Sequence, residues 1–411
     1  MRRSRASTLL VILAYVGFVS LGLPDGLLGV ATPSIRVTFA LAPEDIGGLL
    51  VSFTAGYLLS SFNTGLIVSR LGVGVLLALS CLLTAVSLVG YALASAWWMM
   101  LGFAVLSGLG AGAIDAGLNT WVATHFTART VNWLHAFYGV GAATGPLVMT
   151  AVLAAGRPWR SGYAIVGVGQ LVLAGGFAWT RQRWLAPSAV PSAVESAAYA
   201  ESARAPSVLA AAAAPSSIET LRLPAVWLGI AVFFVYTGTE ATAGVWSYSV
   251  LTQARGVPVA TAGFWVSLFW IGLTLGRFVF GFVAEHARMV TLLRASLIAI
   301  ALGSSLFALN LGAFATVVGL TTSGFAMAPI FPSLIAMTPA RLGARHTGNA
   351  VGFQVAAAIL GAAGLPSLVG VLVGRFGLEA VGWSVLAAAL GLITLHEVLQ
   401  RGVGQAAQGI G

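Results

Sequence analysis

The chain has 411 residues, 58% of them hydrophobic and only 8% charged. A soluble globular domain carries about 25% charged residues, so this composition excludes an ordinary water-soluble enzyme or binding domain. The net charge of +9 comes from 20 arginines and no lysine, and the arginines cluster at the ends of apolar runs, which points to orientation in a membrane and not to nucleic acid.

Apolar runs long enough to cross a bilayer, about 20 residues each, recur along the whole chain. The first covers 9–35 behind the sequence RRSR; no small-residue cleavage site follows, so it reads as a retained span and not a signal peptide. Charges and turn residues then delimit spans at 46–69, 73–95, 97–124, 131–155 and 161–184. The single cysteine, Cys81, falls inside the third span and reads as a small core residue. Residues 185–222, rich in Ala, Ser and Pro, read as a linker, with part of the alanine run open to being a short helix. A second set of spans follows at 225–250, 260–283, 289–310, 312–337, 346–372 and 379–399. The expected organisation is an all-α membrane protein of twelve transmembrane helices in two pseudo-symmetric six-helix bundles, 1–184 and 223–411, joined by a cytoplasmic linker at 185–222.

An even number of spans puts both termini on one side. That side carries Arg2, Arg3, Arg5, Arg70, Arg129, Arg181, Arg183, Arg204, Arg222, Arg288, Arg294, Arg341, Arg345 and Arg401; the other keeps Arg36, Arg157, Arg160, Arg255 and Arg375. Fourteen against five is a positive-inside bias that places the termini and the linker in the cytoplasm, with the chain in the cell (inner) membrane.

The halves repeat one another. GLIVSR at 65–70 answers GFVAEH at 281–286, SGLGAGAID at 107–115 answers SGFAMAPIF at 323–331, and GAATGP at 141–146 answers GAAGLP at 361–366, with offsets of 216 to 220 residues. Two similar six-span halves suit a transporter that rocks one bundle against the other around a midplane site.

Eight of the eleven acidic residues fall in loops, tails or span ends; Asp25, Asp115 and Glu240 do not. An ionisable group at the centre of a span costs roughly 2.5–3.5 kcal/mol and persists where it faces a cavity or a partner. On a 3.6-residue period Gly108, Ala111, Gly112, Asp115 and Asn119 share one face, too polar for lipid and small enough for close helix approach. Glu240 shares a face with Tyr236, Gly244 and Ser247. Asp25 lies in GLPDG, where Gly22, Pro24 and Gly26 are expected to loosen the first span. Asp25 and Glu240 stand 215 residues apart, one acid per half, whereas the repeat partner of Asp115 is Phe331. That asymmetry singles out Asp115 as the main proton carrier, because desolvation favours a neutral carboxyl and so suits it to take up and release protons. Sodium held by several oxygen ligands stays open at Asp25. Arg277, the one arginine inside a span, reads as a gate or loop contact, with an anionic substrate the other option. Solute-facing side chains are expected from Asn119, His135, Tyr138, Tyr236, Trp246, Trp265, Trp270, Asn310 and Gln354, since sugars bind through hydroxyl hydrogen bonds plus an aromatic face. No nucleophile–base constellation or metal-ligand cluster is evident, so neither an enzyme nor a cofactor is expected.

These features resemble the major facilitator superfamily over essentially the whole chain. The family's loop after the second span, glycine then aspartate, arginine and glycine, reads here Gly65, Ser69, Arg70 and Gly72, and the second copy keeps an acid, Gly281 then Glu285. The resemblance implies that this loop latches an inward gate, with Arg70, Arg277 and Glu285 as gate residues. FFVYTGTE (233–240) and FWIGLTLGR (269–277) are similar to the fucose-permease-like branch of proton-linked sugar carriers. That branch carries an acid four residues before an asparagine after Gly-x-Gly, matched by Gly110, Gly112, Asp115 and Asn119, and lines its sugar cavity from positions matched by His135 and Tyr138 around Phe137. The expected function is proton-coupled symport of a sugar or similar small neutral polar solute by alternating access, by a monomer whose partners are solute, protons and lipid. A proton-driven exporter of sugar-like or hydrophobic compounds, and a receptor or lipid scramblase on the same scaffold, are the alternatives.

Overall fold

The computed structural model describes residues 2–126, 128–185, 216–283 and 288–408. Within them, twelve helices are long and apolar enough to span a bilayer, and they are numbered here as spans in chain order: Thr8–Phe39, Pro43–Leu71, Val73–Leu93, Trp97–Val122, Trp133–Ala154 and Trp159–Trp184 in the first half, then Pro224–Ala254, Val259–Phe280, Met289–Ala308, Ala313–Leu342, Arg345–Phe376 and Ala380–Gln400 in the second. Each overlaps its predicted run, because mean hydropathy is the physical signal a bilayer reads.

Close packing within each half follows from small residues. A Cβ added at Gly56 would lie 2.1 Å from the Val105 carbonyl oxygen, and one at Gly108 would lie 1.9 Å from that of Phe53, so only glycine lets the second and fourth spans cross there. The eighth and tenth spans repeat the crossing at the same offset of 216: Gly272 faces the Thr321 carbonyl and Gly324 that of Phe269. Without a hydrophobic drive between helices in lipid, such backbone approach supplies the van der Waals contact that holds spans together.

The first span departs from expectation. It stays helical from Arg2 to Phe39 through Pro24 and Pro33. Pro24 has no N–H to give the Ser20 carbonyl, and Gln170 Nε2 from the sixth span donates to that oxygen at 3.1 Å instead. Gly22 and Gly26 do not loosen the helix but seat it on the fifth span, where added Cβ atoms would meet the carbonyls of Tyr138 and Ala142 at 2.2 and 2.5 Å. The interrupted helix is the tenth span, which breaks between Met327 and Ile330 at Ala328 and Pro329.

The halves meet along the fifth and eighth spans, where Gly139 touches Thr274 and Gly263 touches Thr150. The first and seventh spans meet where Gly29 abuts the Gly244 carbonyl. The second and eleventh meet at the end opposite the termini, where Gly47 touches Ser367 and Gly374 touches Glu44. At that end Arg255 is bound by Glu379 at 2.6 Å, and Arg160 donates to the Ala94 carbonyl at 2.7 Å. Of the segment expected as a linker, 186–215 lies outside the described residues. Its end forms the short helix Ser217–Leu221, capped by Ser216, and docks on the eleventh span through Glu219–Arg345 at 3.1 Å.

Candidate functional site

Each of the three membrane acids has a tyrosine hydroxyl on it. Tyr57 of the second span donates to Asp115 Oδ2 at 2.5 Å, while Asn119, one turn along the fourth span, donates through Nδ2 to Oδ1 at 2.9 Å. Tyr138 of the fifth span donates to Asp25 Oδ2 at 2.6 Å. Tyr236 donates to Glu240 Oε2 at 2.7 Å from its own helix. The Gly56 and Gly108 crossing brings Tyr57 to Asp115; Gly22 and Gly26 bring the first span against the backbone of Tyr138. Hydrogen bonds to a charged acceptor are worth about 1.5–3 kcal/mol each, comparable with the cost of placing a carboxylate in a span.

These pairs form one electrostatic group across both halves. Asp25 and Glu240 lie within range of each other's charge, and Tyr57 lies within range of both Asp115 and Asp25. His135 lies within range of the charges of both Asp115 and Arg277, and Arg277 donates through Nη1 to the His135 carbonyl at 3.2 Å. Arg277 also reaches Tyr236 and interacts with Tyr138. It is therefore part of the polar group between the halves, in addition to bridging the eighth and fifth spans. Asp115, Asn119 and Tyr138 keep part of their surface accessible, and His135 is exposed.

Not every expected residue joins this group. Trp246 is wholly buried, with Nε1 donating to the Pro366 carbonyl at 3.0 Å, so it serves packing of the seventh span on the eleventh. Gln354 is 4% exposed; its Oε1 accepts from Thr338 at 3.1 Å and its Nε2 lies against Gly229, which places it inside the second half. Trp265 is partly buried against the hydrophobic core. Trp270 is buried beside Gly244, and its indole nitrogen has no partner among the described residues. Asn310 sits in the turn between the ninth and tenth spans at φ 49°, a left-handed conformation that asparagine tolerates, and so belongs to the turn. Arg70 is exposed at the end of the second span and has no ion pair among the described residues. Glu285 lies outside the described residues.

Tyr57 was not anticipated from the sequence. Its signal was the line Tyr57, Ser60, Ser61, Thr64, a polar strip at helical spacing in an otherwise apolar span.

The arrangement dictates what protonation must do. Both oxygens of Asp115 accept hydrogen bonds, and a proton on either one makes that oxygen a donor in need of an acceptor nearby. Asn119 can turn its amide and offer oxygen, and Tyr57 can rotate its hydroxyl and accept through the phenol oxygen. The single hydroxyl proton of Tyr236 has two acceptors within reach, Glu240 at 2.7 Å and the Met327 carbonyl at 3.1 Å. A protonated Glu240 can donate to the phenol oxygen and release that proton to Met327, at the break in the tenth span. Among the described residues no group of three or more His, Cys, Asp or Glu side chains could hold a metal ion.

Comparison with known proteins agrees with this architecture. The sequence is 24% identical over 393 residues to bypass of stop codon protein 6 of Saccharomyces cerevisiae, covering 90% of this chain and 78% of the yeast protein. It is 23% identical over 279 residues to the glucose/mannose transporter GlcP of Bacillus subtilis, covering 67% of this chain and 66% of that protein. The crystal structure of a point mutant of the nucleoside transporter NupG superposes with a TM-score of 0.75 over 95% of this chain and 99% of that one, at 14% identity. The family model of the Major Facilitator Superfamily matches residues 14–234, just over half of the 411. With twelve spans, a repeated half and a polar group buried between the halves, the chain belongs to the major facilitator superfamily and is a multi-pass membrane transporter, not an enzyme.

Proposed function

We propose that the chain is a proton-coupled symporter of a sugar or similar neutral polyol-like solute, with Asp115 as its main proton carrier. The observation that carries this reading is the setting of Asp115: a carboxyl inside a span, partly accessible, with both oxygens occupied by Tyr57 and Asn119. Ionised, it holds both donors. Protonated, it has an O–H to give, and the Asn119 amide turns to accept it, swinging Nδ2 towards the solute path. The face that a sugar hydroxyl meets thus depends on the proton, which is what coupling requires. Carrying the proton draws on the membrane potential at about 2.3 kcal/mol per charge per 100 mV.

Glu240 is the second acid, orienting solute or coupling it to the tenth span through Tyr236 and Met327. Asn119, His135, Tyr138 and Tyr236 supply hydroxyl partners and aromatic faces. The name of the Bacillus subtilis relative, a glucose/mannose transporter, supports a sugar. That of NupG, a nucleoside transporter, supports a solute with a hydroxylated ring. With the termini cytoplasmic, the contacts of Gly47 with Ser367 fall on the outer side and exposed His135 faces inwards, an inward-facing arrangement. Arg70, Arg277 and Glu285 then belong to the cytoplasmic gate of a monomer.

Uptake into proteoliposomes over a panel of sugars, with and without an imposed pH gradient, tests the reading. The expected result is accumulation above equilibrium only with an inwardly directed proton gradient. Equal flux at all gradients contradicts proton coupling, and expulsion driven by that gradient marks an exporter.

A further inference from the structure

Along the eighth span, Gly263, Trp270, Thr274 and Arg277 share one helical face, at spacings of seven, four and three residues. Three of them touch the fifth span of the other half: Gly263 meets Thr150, Thr274 meets Gly139, and Arg277 donates to the His135 carbonyl at 3.2 Å. Trp270 therefore stands on the face that the second half presents to the first, about midway along its span.

Its indole reaches the place where the first and seventh spans meet. A Cβ added at Gly244 would lie 2.7 Å from Cζ2 and 3.5 Å from Cε2 of Trp270, so the ring edge turned to Gly244 is the one that carries Nε1. The carbonyl of the same Gly244 lies against Gly29 of the first span and leaves no room for a Cβ there. Gly29 and Gly244 each stand one turn beyond a membrane acid, Asp25 and Glu240, on the side away from the termini. The nitrogen edge of Trp270 is thus held at the joint of the two halves, one turn outward of the acids.

That edge carries an unused donor. Trp270 is 4% exposed, and its Nε1 has no partner among the described residues. A buried donor left unpaired is a standing cost in the folded state. Buried tryptophans that only pack use their N–H: Trp246 on the Pro366 carbonyl, Trp184 on Thr180 and Trp159 on Thr38. Trp121 also lacks a partner, but it is packed among His125, Phe126 and Trp184 at the cytoplasmic end of the first half, away from the joint. Phe269 holds the Trp270 ring edge to face, with centroids 5.2 Å apart. Parting Gly29 from Gly244, which any outer opening of the joint requires, bares the N–H and the adjoining ring face with the rotamer unchanged.

We propose that Trp270 is a specificity-determining residue that acts in one arrangement only. With the halves parted on the outer side, its N–H donates to a hydroxyl oxygen of a hexopyranose whose C–H face lies on the ring. In the inward-facing arrangement, the joint of Gly29 and Gly244 withdraws that donor. This assignment rests on the sugar-transport reading and deepens it. Its consequence is sided affinity: the sugar is held more tightly from outside than from inside, so closing the joint itself promotes release.

The test measures sugar exchange without a pH gradient, in right-side-out and inside-out membrane vesicles carrying the full-length protein, so proton coupling does not enter. The probes are D-glucose, D-mannose and D-galactose, and the one that the wild type exchanges best is carried forward. Trp270→Phe, which keeps a ring and loses the N–H, should raise KM about two- to tenfold at the outer face and leave it unchanged at the inner face. Poor folding of the variant lowers the maximal rate and moves neither KM, so it does not imitate this split. One monodeoxy analogue of the sugar should bind the wild type more weakly than the parent sugar does, and Trp270→Phe equally well, which names the hydroxyl. Independently, Trp270→Cys in a Cys81→Ala background should react with a membrane-impermeant thiol reagent added at the outer face. Equal KM changes at both faces, no change at either, no such analogue, or a cysteine sealed from the outer reagent overturns the assignment. A wild type that exchanges none of the three sugars sinks the sugar reading and the assignment together. Exchange without gradient-driven accumulation sinks only the symport reading and spares Trp270.

Discussion

Where the second span crosses the fourth, Gly56 and Gly108 bring two backbones together, and 216 residues later Gly272 and Gly324 do the same for the eighth and tenth. Beside the first crossing stand Asp115 and Tyr57. Beside the second stand Phe331, packed edge to face on Phe233 with centroids 5.1 Å apart, and Leu273, which is fully buried. Tyr138, which reaches Asp25, has Ala358 at the offset of 220 that relates the fifth and eleventh spans, a buried residue with no hydroxyl to offer an acid. The duplicated backbone accepts an acid or a ring at the same place. Its helix crossings set the architecture, and the chemistry is loaded mainly into the first half, with Glu240 the second half's single membrane acid.

The comparison breaks most sharply if the acid is moved. Phe331→Asp puts an unpartnered carboxyl into the second half, and roughly 2.5–3.5 kcal/mol of stability should be lost, read as a lower unfolding midpoint. Adding Leu273→Tyr should recover part of it by recreating the Tyr57–Asp115 pair; no recovery would mean that the repeat does not carry the geometry. Tyr57→Phe comes next. Removing one donor from the ionised carboxyl costs about 1.5–3 kcal/mol, read as a lower unfolding midpoint, and gradient-driven accumulation should weaken with it. Unchanged stability and accumulation would disconnect Tyr57 from Asp115.

Smaller effects separate packing from solute contact. Gln354→Ala removes the bond from Thr338, which keeps the Leu334 carbonyl at 3.0 Å, and empties buried volume; it should cost about 1–3 kcal/mol of stability with solute KM unchanged. A raised KM at full stability would return Gln354 to the solute path. Trp246→Phe removes the bond to the Pro366 carbonyl and part of the buried packing of the indole, together about 1–2 kcal/mol, and uptake should persist; lost uptake at full folding would place Trp246 on the path.

The twelve spans were legible because a bilayer selects on hydropathy, and local composition reports hydropathy directly. Asp115 was legible for the same reason, as a charge in an apolar run. Tyr57 was not, because a tyrosine in a span is as compatible with packing as with a hydrogen bond, and its acid lies 58 residues away. Gln354 and Trp246 show the reverse error: periodicity gives the face of a helix but not which neighbour that face meets. Pro24 misled for another reason, since the repair of its lost hydrogen bond comes from Gln170 on the sixth span. The opposite-side arginines also gain meaning only in three dimensions. Arg255 is held by Glu379 and Arg160 by the Ala94 carbonyl, so both have local tasks that a charge count along the chain cannot register.

The central claim is that a proton on Asp115 links gradient to solute. Asp115→Asn, assayed in one proteoliposome preparation for both counterflow and pH-driven accumulation, tests it most directly. Counterflow should persist, because an amide keeps the shape of the site, while accumulation should fall to the equilibrium level. Accumulation that survives Asp115→Asn would contradict the account.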